Sequence, residues 1–94
     1  MAETKVSNEL LKQVREKLTT NPNELIPVIA NLNEGVDIEA ARTELSAAGL
    51  HVETVIPGPV QIIAGHMQAK YIIDLAKNDK IKKMEYDAKT FALV

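Results

Sequence analysis

The sequence predicts an α+β protein: one four-stranded antiparallel sheet with two helices on one face, preceded by a further helix. Three observations carry this. Apolar residues recur at helical spacing in three segments, and four others read as strands, in the order helix, then β-α-β-β-α-β. The connections are short and marked by Gly, Pro and Asn, which favours antiparallel neighbours and right-handed crossovers. The chain has 94 residues, 46% hydrophobic and 26% charged. That suits one modest core, burying roughly 60–65% of the unfolded surface.

The first helix is expected over Ser7 to Leu18, where Leu10, Leu11, Val14 and Leu18 form one apolar stripe. Ser7 or Asn8 can cap it, and Glu9 suits the positive end of its dipole. Thr19 to Asn23, with Pro22, stops it. Leu25 to Leu32 is apolar on both faces and reads as a central strand. Pro27 cannot donate to a ladder, so the reading puts it near the strand start or at an unpaired position. Asn33-Glu34-Gly35 is a turn.

A second helix starts at the cap Asp37 and stops at Gly49, with Ile38, Ala41, Leu45 and Ala48 on one face. His51 to Ile56, then Pro57-Gly58-Pro59, then Val60 to Gly65 read as strand, turn, strand. The third helix is expected over Met67 to Asn78, with Met67, Tyr71, Ile72 and Leu75 in its buried stripe. Lys80 to Tyr86 is the last strand. The β-α-β-β-α-β order is that of the ferredoxin-like sandwich. Residues 1–24 then form an N-terminal helical extension and 25–94 the domain. One sheet face stays open, and the fold alone does not choose a function.

Composition excludes several classes. A net charge of −2 lacks the basic excess of a general nucleic-acid binder. With no cysteine there is no disulfide, thiol nucleophile or Cys-based metal site. No segment approaches the ~20 apolar residues of a membrane span. The N-terminus lacks a signal-peptide core, so the chain is expected to be soluble and cytoplasmic; secretion after loss of a presequence stays open. Tyr71, Tyr86 and Phe91 are the only aromatics, so the core is aliphatic.

No catalytic constellation appears. His51 and His66 have no cysteine or acid at metal spacing, and read as ordinary surface or strand-end histidines. Ser7 and Ser46 sit in helices, not on a strained nucleophile turn. The four glycines are scattered and form no phosphate cradle. The strands lack the paired aromatics of an RNA-binding sheet. Lys80, Lys82 and Lys83 read as protection of an edge strand. The protein is therefore expected to bind another protein, with no enzyme activity, metal or cofactor.

The C-terminal third carries the sharper signal. A strand ending in Ala64 is followed by Met67, then by Ile72 and Leu75 on a helix. A Lys-Asn-Asp turn follows at Lys77 to Asp79, then Ile81 three residues before Met84, and Glu-x-Asp at Glu85 and Asp87. In that order and spacing the run resembles the inhibitor-type propeptides of subtilisin-like serine proteases, the peptidase inhibitor I9 family. The likeness covers about residues 25–94.

The resemblance implies that the open sheet face packs on two surface helices of the protease. Carboxylates of the last strand cap those helices, and the C-terminal tail lies product-like in the active-site cleft. Glu85 and Asp87 share strand parity, roughly 6.5–7 Å apart, and suit the docking role. Met84 and Tyr86 then face the helices. The tail comprises Ala88, Lys89, Thr90, Phe91, Ala92, Leu93 and Val94. Counted from Asp87, Leu93 fills the primary pocket; if the chain end is the product-like carboxylate, Val94 does. No protease follows in the chain, so the closest match is a free-standing inhibitor, which inhibits the protease or binds it as a chaperone does, or a relative that kept the fold and lost the activity. The first helix lies outside the family domain, and would block docking if it covered the open face. The alternative is a non-inhibitory regulatory or structural module that self-associates through its sheet, a homodimer binding a small ligand near Asn33 to Asp37.

Overall fold

The computed structural model describes residues 5–87. In chain order the elements are α1 (Asn8–Thr20), β1 (Leu25–Leu32), α2 (Ile38–Ala47), β2 (His51–Ile56), β3 (Ile62–Gln68), α3 (Ala69–Ala76) and β4 (Ile81–Tyr86). The four strands form one sheet in the order β2-β3-β1-β4, and all three adjacent pairs are antiparallel. This is the ferredoxin-like α+β arrangement.

Strand periodicity sorts the sheet into two faces. Ile26, Val28, Ala30 and Leu32 of β1, Ile63 and Met67 of β3, and Ile81 and Met84 of β4 are all buried. They join Ala41 and Leu45 of α2 and Ile72 and Leu75 of α3 in a single core. All helices therefore cover the same face.

The first helix belongs to this layer. Its stripe buries Leu10 and Val14 in the same core. Ahead of it, Val6 makes a parallel bridge to Met84, and the Ser7 amide donates to the Met84 carbonyl at 2.9 Å. The Ser7 side chain then caps the helix by accepting from the Leu10 amide. The residues ahead of α1 thus close part of the β4 edge, and among the described residues no helix lies on the opposite sheet face.

Two predicted boundaries need correction. The strand predicted to end at Gly65 runs to Gln68, which pairs with Leu25, so Met67 is a buried strand residue and not part of a helix. The third helix is correspondingly shorter, Ala69–Ala76, and Tyr71 is 42% exposed. Its start carries no side-chain cap. Instead the Ala69 and Lys70 amides donate to the Glu24 and Pro22 carbonyls, each at 3.2 Å. Backbone remote in sequence satisfies these first-turn donors, so no local signal marks the helix start.

Pro27 lies near the strand start, as expected, and on its β4 side it falls outside the paired residues of that ladder. It is the third residue of a central strand, opposite His66. Its carbonyl accepts from the Asp87 amide at 3.1 Å. In an antiparallel ladder the N–H and C=O of a residue point to the same neighbour. The donor Pro27 lacks would therefore have faced Asp87, just past the end of β4. The proline removes one bond at the end of the ladder and none from its middle.

The turn before β4 is tied to α2. Glu44 accepts from the Asn78 side chain at 2.8 Å and pairs with Lys80 at 2.8 Å. The Lys80 bond, then the Asn78 bond, hold the Glu44 carboxyl below the usual carboxylate range, and Glu44 in turn raises the Lys80 ammonium. A carboxyl depressed in the fold stabilises above its unfolded pKa, and that contribution is lost as pH falls through the folded value. Lysine, raised in the fold, loses its share only in alkali. Glu44→Gln is therefore expected to lower the urea midpoint at neutral pH and to differ less from the parent at about pH 3. A constant difference across that range would show that the pair adds nothing.

Candidate functional site: the open face of the sheet

The face away from the helices presents Ile29 and Asn31 of β1, Ile62, Ala64 and His66 of β3, Thr54 and Ile56 of β2, and Glu85 and Asp87 at the end of β4. The register fixes their neighbours. Ile29 lies between Ala64 and Glu85, Asn31 between Ile62 and Lys83, and Pro27 beside His66. Aliphatic side chains thus occupy the middle, with charged groups toward the β4 edge. Ile56 is 46% exposed, and Val60, in the loop after it, 61%. Among the described residues, no helix covers this surface.

Glu85 and Asp87 both fall on it, as their parity requires. The Glu85 side chain is 45% exposed and lies 3.7 Å from the Lys83 ammonium. Asp87 is half-buried, with its amide bound to Pro27. Met84 and Tyr86 face the other way: Met84 is in the core and Tyr86 packs against it. Burial raises the Tyr86 phenol, with Glu9 of α1 adding to the effect. Carboxylates are the group type that accepts hydrogen bonds from unpaired amides at a helix N-terminus. The predicted cleft-binding tail, Ala88 to Val94, lies outside the described residues.

The lysines predicted to guard an edge do lie on or beside an edge strand. Lys82 and Lys83 are exposed on β4, where the register against β1 shifts between Asn31 and Leu32. A hollow of ≈ 250 Å³ opens there, between this pair and Val60. Lys80 is instead engaged with Glu44. The polar groups near Asn33 to Asp37 also serve the fold. The Asn33 side chain donates to the Asp79 carbonyl at 2.7 Å, and Asp37 caps α2.

One grouping escaped the sequence reading. His51 and His66 are direct cross-strand partners, and His66 Nδ1 contacts Glu53 Oε1. No spacing in the sequence announces it. Ile56 pairs with Ile62, which centres the hairpin on Pro59, and only the extra residue Glu53 then brings His51 opposite His66. Among the described residues, no group of three or more His, Cys, Asp or Glu is placed to hold a metal ion, and no helix is long and apolar enough to cross a membrane. Comparison with protein-family models, with curated proteins and with solved structures finds no match to this chain.

Proposed function

We propose that the protein binds and inhibits a subtilisin-like serine protease, or assists its folding, by docking the open face of its sheet. Glu85 and Asp87 cap the N-termini of partner helices, and the tail from Ala88 to Val94 enters the active-site cleft. One observation carries the reading. The first helix packs on the helical side, so that among the described residues no helix covers the face with the aliphatic centre, at whose β4 edge Glu85 stands 45% exposed. Had α1 lain across that face, docking there would have required it to detach.

Each carboxylate cap contributes about 0.5–2 kcal/mol through its hydrogen bond and the helix dipole. The protein is titrated against a subtilisin-like protease with a chromogenic peptide substrate. Glu85→Ala with Asp87→Ala should weaken inhibition roughly 10- to 100-fold, with the circular dichroism spectrum and melting temperature unchanged. Removing Ala88 to Val94 should abolish inhibition and leave the fold intact. A double variant that inhibits like the parent refutes the capping role. A parent that is digested without inhibiting refutes the whole reading. Light scattering then decides whether the aliphatic face serves a homodimer instead.

A further inference from the structure

The hairpin of β2 and β3 sets two histidines opposite one another at the rim of the open face. His51 is the Cα partner of His66, so both side chains leave the sheet on the same side. The hydrogen-bonding direction follows from the ladder. Pro27 turns its carbonyl to β4, so Val28 turns to β3 and its partner Gly65 to β1. His66 therefore turns to β2, and the His51 carbonyl lies against this part of β3. Directly opposed residues of this kind hold their Cβ atoms about 4.5–5.5 Å apart, close enough for two imidazoles to converge on one ion.

Glu53 adds the second element. The register shifts between Val52 and Thr54, so Glu53 is an extra residue with no Cα partner in β3. Its carboxylate accepts from His66 Nδ1. A ligating imidazole commonly has its other ring nitrogen held by a carboxylate, which fixes the tautomer and makes the free nitrogen more basic. Here that contact leaves Nε2 of His66 available.

We propose that His51 and His66 bind a divalent transition metal of the zinc class, with Glu53 orienting His66. Imidazole suits zinc, nickel and copper, whereas calcium and magnesium prefer oxygen donors. With two protein ligands the site is open, and water fills the remaining positions. It does not depend on the protease reading, because the hairpin alone supplies it.

Zinc chloride titrated into the full-length protein by calorimetry should bind one ion per chain in the micromolar to submillimolar range. His51→Ala and His66→Ala should each weaken binding at least tenfold, and Glu53→Gln by roughly tenfold. In a two-dimensional NMR spectrum, zinc should shift the ring signals of both histidines together. Absence of binding up to about 1 mM zinc overturns the proposal, as does affinity unchanged in His66→Ala. Glu53→Gln with full affinity removes the orienting role while leaving the ligands.

Discussion

Replacing Gly65 by alanine is expected to destabilise the protein by about 3 kcal/mol or more, near the top of the range for overpacking. Gly65 is a buried residue of β3 opposite Val52. A Cβ built there falls 2.1 Å from the His51 carbonyl oxygen and 2.9 Å from its carbon. Both atoms are backbone, so no rotamer change can make room; β2 would have to move as a unit. The close approach arises where the extra residue Glu53 bends β2 over its neighbour, and a glycine beneath such a bulge is a recurrent solution. A loss of this size should lower the melting temperature by more than about 10 °C in a domain of this length. The measurement is urea unfolding followed by circular dichroism. A loss below about 1 kcal/mol would mean that the strand yields easily and the bulge is not rigid.

Leu10→Ala should cost a similar amount, about 2–5 kcal/mol. Leu10 is fully buried, in one core with Met84, Val14 and Val6. Removing its side chain opens a cavity between α1 and the sheet, where the surroundings collapse only in part. The size of the effect tests where the helix spends its time. A helix docked as described loses the whole cavity term; one that swings away from the sheet loses a few tenths of a kcal/mol from altered propensity alone. The second outcome would also weaken the case for an open face free to receive a partner.

Much of the fold was legible in local pattern. Ser7 and Asp37 announce two helices because each side chain accepts from an amide in the first turn. Leu25 to Leu32 and His51 to Ile56 have the boundaries the residues suggest. The reading failed at the join of β3 and α3, where Met67 fits a helical stripe as well as a strand face. There the pairing of Gln68 with Leu25, and carbonyls supplied by Pro22 and Glu24, set the boundary. Those partners are more than forty residues away in sequence, beyond the reach of any window of periodicity. Pro27 was legible as lying near the strand start, but its consequence for the ladder was not. Its effect depends on which neighbour its missing N–H would have faced.

The candidate site divides along the same line. Strand parity alone put Glu85 and Asp87 on one face and Met84 and Tyr86 on the other, because successive side chains of a strand alternate whatever surrounds them. Parity cannot say whether that face is open. The tertiary structure decided it by seating Leu10 and Val14 beside Met84, since an amphipathic stripe specifies that a helix buries one side but not against which surface. The pairing of His51 with His66, and the bulge that brings Glu53 to them, likewise come from the register between strands, which is set by the packing of the whole sheet.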